Sequence, residues 1–531
     1  MKYTILIILT FGIGISSFTQ IPSKVQLSLQ KAGKNKIELE KVITHYQHEK
    51  DSLKLQACFF LLTNMNGLTH VDSANLHVFD TVFGVYDSLV TNNIVVHKQE
   101  TEYPLIDDAW DKIVEKYEDP NTIELPDLET VKASFLIENI DLSFQAWRTF
   151  PWAKHLTFEQ FCEYLLPYRM NNEPIMPWRN KLMKKYAWLP DSLPDKKDAI
   201  NATRVLYNNL KWFLLNKKLW RHPLLGSDNL HLARAGTCIN KTDLNMFVMR
   251  AMGLAITRDY VLYWGNRDSN HYWNAFVMND GTFLDFEALG AIRLLWQGRM
   301  PKHAIVNPIV RFGGWSAKMS KVFRETFSPQ KGTLVEDNKI GIRVKIPYEF
   351  ERTRIKDVTS EYMKVADISY QLSKRENFPK YIYLCTLNEK EWRPAYWARV
   401  QSDGKALFKQ MGADIVYMPC RYENWRYIPE GNPILLDSLG ESHELVMSKG
   451  VFPRAEFGFD NYATRVSKGS SYQLFYFYQN KWILHSEHIA EDKAKITFEN
   501  VPQNTLLRLQ KVNGSKNERI FLYSNGIQSF Y

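Results

Sequence analysis

The sequence predicts an α+β chain of several domains: a helical N-terminal region, a central core that combines one helix with a strand pair, and β-sandwich domains at the C-terminal end. Apolar residues recur at helical spacing up to about residue 220, which is typical of amphipathic helices. After about residue 335 they alternate in short runs separated by turn residues, which is typical of antiparallel strands. The chain has 531 residues, of which 45% are apolar and 24% charged, so it is long enough for about three to five globular domains and is not largely disordered.

The first residues differ in composition from the rest and are predicted to be a signal peptide at residues 1–20. Lys2 precedes an uncharged apolar run at residues 3–15, which is too short to span a bilayer, and small and polar residues follow it. A simple membrane anchor is the alternative, whereas a lipid anchor lacks its acceptor because no cysteine follows the run. We therefore expect a secreted or periplasmic protein with no membrane span in the mature chain.

The composition divides the mature chain into four parts. We predict a mainly helical N-terminal region at residues 21–200, the core at 201–330, and two β-sandwiches at 331–440 and 441–531. Helices are expected near residues 107–117, 128–137, 157–166 and 200–215. Strands are expected at residues 342–346, 366–370, 381–386, 395–400, 415–418, 472–478, 506–509 and 519–523.

The charge balance argues against two classes of partner. Lysine and arginine number 67 against 58 acidic residues, which gives a net charge of +9, a mild surplus for this length. Like charges do not form long blocks in the sequence. We therefore expect neither a nucleic-acid-binding nor a membrane-surface protein.

Five cysteines remain after the predicted signal peptide, and an odd number leaves at least one unpaired. An oxidising compartment permits disulfides, and Cys385 and Cys420 lie in one strand-rich region. We expect these two either to form a disulfide or to remain free thiols. The sequence contains no CxxC, HExxH, Walker or GxGxxG motif, so we expect no metal and no nucleotide or other cofactor.

The cysteine with the most informative surroundings is Cys238. Gly236 precedes it, an amphipathic run with Leu244 and Phe247 on one face follows it, and Gly253 ends that run. Cys238 is therefore predicted at or next to the first turn of a helix, where the helix dipole and free N–H groups favour a thiolate and an oxyanion. The alternative is a small apolar residue that caps a core helix.

A strand pair follows this helix and supplies a histidine and a carboxylate. Residues 271–277 alternate as a strand with His271 and Trp273 on one face, and residues 282–287 return as a second strand containing Asp285. A cysteine nucleophile needs a base and a group that orients the base, and His271 and Asp285 fit these two roles.

The turn between the two strands decides which carboxylate lies nearest the histidine. A two-residue turn puts Asp285 on the opposite face from His271. A three-residue turn restores the face but places Glu287 opposite Trp273 and nearer to the imidazole, and a longer loop moves Asp285 toward His271. The residues alone leave these registers open.

Cys238 at a helix start, His271 within His-x-Trp and Asp285 on the next strand resemble the core of the transglutaminase-like superfamily, whose members share a papain-like Cys-His-Asp arrangement. Residues 249–254 (Met-Arg-Ala-Met-Gly-Leu) are similar to the Leu-Arg-Ala-Gly-Ile-Pro run of many members. The resemblance implies a papain/transglutaminase-like core and favours Asp285 over Glu287 as the residue that orients the imidazole.

The resemblance extends more weakly to secreted, multidomain bacterial proteins of this superfamily. The matching pieces are residues 161–169, Glu173, Trp178, Arg179, residues 321–324 and residues 518–523. It implies a helical N-terminal region and C-terminal β domains, and it implies no particular substrate.

The predicted function is an exported cysteine-dependent enzyme that acts on amide bonds of a peptide, protein or glycopeptide, with Cys238, His271 and Asp285 as its catalytic residues. Hydrolysis is favoured over transglutamination because water is always in excess, whereas acyl transfer needs a dedicated amine site. The alternative is a non-catalytic binding protein that presents its β domains to a cell-envelope or extracellular polymer.

Overall fold

The computed structural model describes fourteen stretches of the chain: residues 20–49, 51–72, 78–91, 108–109, 111–116, 123–210, 214–215, 226–233, 235–286, 310–312, 315–374, 376–458, 466–514 and 519–531. Residues 1–19 of the predicted signal peptide lie outside these stretches. The described residues form a mixed helix and sheet structure with antiparallel strands in several sheets. None of the helices within them is long and apolar enough to cross a membrane.

Helices dominate the described residues up to residue 210. They are Ser23–Lys31, Lys36–His48, Ser52–Asn64, Asp80–Thr91, Asp127–Thr130, Ala133–Thr149, Phe158–Gln160, Arg179–Lys185 and Ala199–Asn209, with short 3-10 or π turns at Gly33–Asn35, Pro151–Ala153, Phe161–Leu165 and Leu189–Ser192. Their apolar faces share one core, to which Ile43, Leu62 and Phe144 contribute. A small strand pair that the sequence did not predict, Thr69–Val71 with Glu124–Pro126, lies among these helices.

The expected helices are found with some changes of boundary. The helix expected at residues 157–166 is formed by a helical turn and a π turn, and the one expected at 200–215 ends at Asn209. The one expected at 107–117 is helical at the residues described there, 108–109 and 111–116.

The helix expected at residues 128–137 is interrupted at Val131. The structure has two helices there, Asp127–Thr130 and Ala133–Thr149. Asn35, which is distant in sequence and buried, donates its side-chain amide to the carbonyl oxygen of Val131 at 2.9 Å. This tertiary hydrogen bond stabilises an extended backbone where the local pattern favours a helix.

The core sheet lies next to one long helix, Cys238–Ala251. Its five antiparallel strands have the spatial order Ile355–Asp357, Phe323–Glu325, Ile256–Val261, His271–Val277 and Phe283–Phe286. The two central strands are buried along their whole length, so both faces of the sheet are covered. The sheet thus includes a strand beyond residue 330, where the sequence predicted the β-sandwiches to begin.

Four further sheets form the C-terminal part of the chain. In the first pair, one sheet contains the strands Val365–Gln371 and Lys405–Gly412. The other sheet contains the strands Tyr381–Asn388, Glu391–Arg399, Ile415–Glu423, Arg426–Pro429, Ile434–Leu436 and Ser442–Glu444. In the second pair, one sheet contains the strands Val451–Phe457 and Ile496–Pro502. The other sheet contains the strands Ser471–Tyr478, Lys481–Ile489, Leu507–Lys511, Ile520–Ser524 and Ile527–Phe530. Within each pair the two sheets contribute to one hydrophobic core.

The strand expected at residues 342–346 does not form. The side chain of Asn338 bonds both backbone groups of Val344, at 2.7 and 3.1 Å, and Lys380 donates to the carbonyl oxygen of Ile342 at 2.7 Å. These side chains use the backbone groups that a neighbouring strand would need, and Ile342 is left 85% exposed.

The two cysteines of the first β region are free thiols in the structure. Cys385 opposes Met418, and Cys420 opposes Tyr383, so the cysteines are diagonal neighbours on paired strands. Both side chains are fully buried, and burial, followed by the neighbouring thiol of Cys420, raises the pKa of Cys385. Of the two outcomes that the sequence left open, the structure contains the unbonded pair.

Candidate active site at the start of the Cys238 helix

Cys238 is the first residue of the helix Cys238–Ala251, as the sequence predicts. The side-chain oxygen Oδ1 of Asn240 accepts hydrogen bonds from the backbone N–H and the hydroxyl of Thr237, at 3.0 and 3.1 Å. Gly236 has a φ of +147°, and a Cβ atom there would lie 2.6 Å from Oδ1 of Asn240. Only glycine fits this close approach, so the backbone that leads into Cys238 is fixed.

Cys238 also differs from the other cysteines in its exposure. It is half-buried, whereas Cys58, Cys162, Cys385 and Cys420 are buried. Burial raises the pKa of the thiols of Cys58, Cys162 and Cys385, which disfavours their thiolates. Cys238 is therefore the cysteine whose position permits reaction with a molecule from outside.

Buried polar contacts attach this helix to the sheet. Asp243 forms an ion pair with Arg258 at 2.8 Å, and Asn245 donates to Oδ1 of Asn274 at 2.9 Å. Asn274 in turn donates to the carbonyl oxygen of Thr242 at 3.3 Å. The helix therefore packs on the sheet face from which Arg258 and Asn274 project.

The N-terminal end of the helix lies toward the end of the sheet where His271 begins its strand. Arg250, near the other end of the helix, bonds the carbonyl oxygen of Ile256, where the adjacent strand begins. That strand ends at Val261, which is paired with His271. The helix runs antiparallel to the strand that ends at Val261, so Cys238 and His271 are brought to the same end of the sheet.

The side chain of His271 leaves the sheet on the face of Trp273. It is 9% exposed, and its ring stacks between Trp264 and Trp273, with centroid distances of 5.9 and 6.0 Å. Strand alternation puts Tyr272 on the other face, the one that the helix covers, where Tyr272 stacks on Tyr260 at 5.1 Å. The sequence prediction that His271 shares a face with Trp273 is thus confirmed, and that face is opposite to the helix.

Asp285 lies on the strand next to His271, in the register of the three-residue turn. Ala275 opposes Asp285, so Asp285 shares a face with His271 but lies four positions along the sheet from it. At about 3.3 Å per residue this is about 13 Å in the strand direction. Glu287, which this register would place opposite Trp273, lies outside the described residues.

A buried network on the same face was not predicted from the sequence. Asp259 accepts two hydrogen bonds from Arg324, at 2.9 and 2.7 Å, and one from the hydroxyl of Tyr362 at 2.6 Å. That hydroxyl accepts a hydrogen bond from Nε1 of Trp273 at 2.8 Å. Burial, followed by the charges of Asp259 and Asp285, raises the pKa of Tyr362. The network therefore fixes the tryptophan beside His271, and the signal for it in the sequence was the pair of adjacent charged residues, Arg258 and Asp259, inside a strand.

No family model matches the chain, and no curated protein matches it. Among solved structures, the chain is similar to the transglutaminase of red sea bream with 8% identity and a TM-score of 0.21, over 75% of this chain and 74% of that one. A similarity of this degree carries no argument about fold or activity.

Proposed function

We propose that the protein is an exported enzyme that uses Cys238 to cleave amide bonds in a peptide, protein or glycopeptide. The observation that carries the proposal is the position of Cys238: it is the half-buried cysteine, at the first turn of a helix that a glycine turn fixes in place. A thiolate there is stabilised by the positive end of the helix dipole. The proposal includes a papain-like core and two C-terminal β-sandwich domains.

The proposed reaction has two stages. The thiolate of Cys238 attacks the amide carbonyl carbon, and the oxyanion that forms accepts hydrogen bonds from backbone N–H groups of the helix start. His271 holds the thiol proton and passes it to the amide nitrogen, so that the C–N bond breaks and a thioester remains. His271 then takes a proton from water, the hydroxide attacks the thioester, and the C–S bond breaks to give a carboxylic acid, the Cys238 thiolate and the protonated imidazole with which the cycle began.

Asp285 is proposed to keep the imidazole in the required tautomer, as the resemblance to the superfamily implies. Asp285 shares a face with His271, but its displacement of about 13 Å along the strand is longer than a direct hydrogen bond can span, so Glu287, which this register would place opposite Trp273, is the competing residue. Asp285→Asn and Glu287→Gln separate them, because the variant that loses turnover with an unchanged fold identifies the orienting carboxylate.

The test of this proposal is the alkylation of Cys238 by iodoacetamide as a function of pH. In the native protein we expect one site of labelling, Cys238, with a midpoint well below the pKa of about 8.5 of a free thiol. His271→Asn should move that midpoint toward about 8.5, and His48→Asn, which changes an exposed histidine in the N-terminal helical region, is the matched control and should leave it unchanged. A midpoint near 8.5 in the native protein, or one unaffected by His271→Asn, contradicts the enzyme proposal.

The second candidate function is a binding protein built on a non-catalytic core. The observation that favours it is the place of His271, which stacks between two tryptophans on the sheet face opposite to the Cys238 helix. In that case the imidazole contributes to packing. His271→Asn would then lower thermal stability and leave the alkylation midpoint unchanged.

A further inference from the structure

A cavity in the helical region contains a histidine that the proposed amide-bond chemistry does not use. The cavity has a volume of about 350 Å³, and its lining includes His70, Lys132, Phe135, Glu138, Ile175 and Pro177. This volume is within the range of about 300–1,000 Å³ that is usual for small-molecule sites. The cavity is formed by different elements from those that hold Cys238, so binding in it does not depend on the amide-bond chemistry.

His70 is oriented in this cavity by a buried carboxylate. Its Nδ1 atom lies 2.9 Å from Oδ1 of Asp127, which is fully buried, whereas His70 is 8% exposed. The other oxygen of Asp127 accepts the hydroxyl of Tyr168 at 2.6 Å and is paired with Arg169. Asp127 thus receives several donors, so the hydrogen between it and the imidazole belongs to Nδ1 of His70.

With Nδ1 held by Asp127, Nε2 is the ring nitrogen of His70 that is left to face the cavity. Nδ1 is occupied by Asp127, and among the described residues His70 has no other hydrogen-bond partner. A neutral imidazole with Nδ1 protonated presents a lone pair at Nε2. A ligand that donates an N–H or O–H group at this point satisfies that atom.

The remaining wall offers two opposite charges and an apolar surface. Lys132 is exposed and Glu138 is half-buried, and neither forms an ion pair within 4 Å among the described residues, although the charge of Lys132 also acts on the carboxylate of Glu38. Phe135, Ile175 and Pro177 supply the apolar part. A zwitterion with an apolar side chain would pair both charges and cover the ring and the proline.

We infer that this cavity binds an amino acid or a short peptide with free ends and an apolar side chain. Lys132 pairs with the carboxylate, Glu138 pairs with the ammonium group, and Nε2 of His70 accepts a hydrogen bond from an N–H of the ligand. The buried Asp127 acts through His70 as a positioning residue.

The test is isothermal titration calorimetry with L-alanyl-L-phenylalanine. The protein is the full mature chain with Cys238→Ala, so that hydrolysis does not obscure binding. We expect saturable binding, weakened about tenfold by Lys132→Gln and by Glu138→Gln, because each removes one charge-assisted contact. Glu129→Gln, which neutralises an exposed carboxylate outside the cavity, is the matched control and should bind as the parent does.

Two modified peptides make the assignment specific. The N-acetyl peptide lacks the ammonium group, so its affinity should be insensitive to Glu138→Gln and still fall with Lys132→Gln. The C-terminal amide should show the reverse. Absence of binding at millimolar peptide, or equal binding by the parent and both cavity variants, would overturn the inference.

The role of His70 is tested without altering the fold. Diethylpyrocarbonate modifies neutral imidazole nitrogens, and peptide mapping by mass spectrometry locates the product. We expect His70 to be modified and saturating L-alanyl-L-phenylalanine to slow that reaction at least fivefold, while the exposed His48 reacts at an unchanged rate. Failure of His70 to react, or no protection by the peptide, contradicts an Nε2 atom that is open to the cavity and covered by the ligand.

Discussion

The turn that leads into Cys238 should tolerate no side chain at position 236. In Gly236→Ala, the new Cβ would lie 2.6 Å from Oδ1 of Asn240, so the Asn240 side chain must move and lose its hydrogen bonds to Thr237. Loss of such a helix cap costs about 1 kcal/mol, and an alanine at positive φ costs about a further 1–2 kcal/mol. We therefore expect a destabilisation of about 2–3 kcal/mol that is concentrated at the start of the helix.

Gly67→Ala is the matched control for this prediction. Gly67 also has a positive φ, +81°, but a Cβ atom at this position would have no other atom within 4 Å, so only the backbone strain applies. Hydrogen–deuterium exchange measured by mass spectrometry reports the local effect, which a global melting curve of a chain with several domains does not resolve. Gly236→Ala should speed exchange in the first turns of the Cys238 helix, and Gly67→Ala should leave that helix unchanged. Equal exchange in the two variants would refute the close-contact argument.

Three further predictions concern buried groups. Burial alone would raise the pKa of Asp127, but its hydrogen-bonded and charged partners lower that pKa overall. The ionised carboxylate therefore stabilises the fold at pH values above the unfolded pKa of about 3.9. This contribution is lost as the pH falls through the lower pKa of the folded state. Asp127→Asn should therefore flatten the acid side of the curve of thermal stability against pH, and an unchanged curve contradicts this. Arg324→Met leaves Asp259 as a buried charge without its partner and should destabilise the protein by about 3–5 kcal/mol in chemical denaturation, whereas adding Asp259→Asn should recover part of that loss. Cys385 and Cys420 should react with a maleimide only after denaturation, because both are fully buried, and intact-mass analysis of the native protein should find neither labelled.

Local signals were sufficient to predict the Cys238 helix. Its boundaries are determined by three residues of the segment itself. They are Gly236, where no side chain fits, Thr237 beside the first turn, and Gly253 at the end. The strand His271–Val277 was predictable for the same reason, since its alternation and the following turn are local.

Contacts between distant residues explain the failures. The helix break at Val131 depends on Asn35, and the missing strand at residues 342–346 depends on Lys380 as well as on Asn338. Neither partner can be recognised from the segment that it alters. The register between the His271 strand and its neighbour was ambiguous because a change of one residue in the turn moves every side chain to the other face.

The face of the sheet that the helix covers could not be inferred from the sequence, and it decides how the candidate site is interpreted. Alternation alone predicts that His271 and Trp273 project together, which leaves open whether they project toward the helix or away from it. The contacts of Asn274 with Thr242 and Asn245 settle this point, because they place the helix on the Asn274 face. In a catalytic triad of this chain, the imidazole of His271 therefore cannot meet the Cys238 thiol on the sheet face that the helix covers. The two groups must meet beyond the end of the sheet, where Cys238 begins its helix. The pH dependence of Cys238 alkylation measures that contact directly, and so it bears on the enzyme proposal more strongly than the motif does.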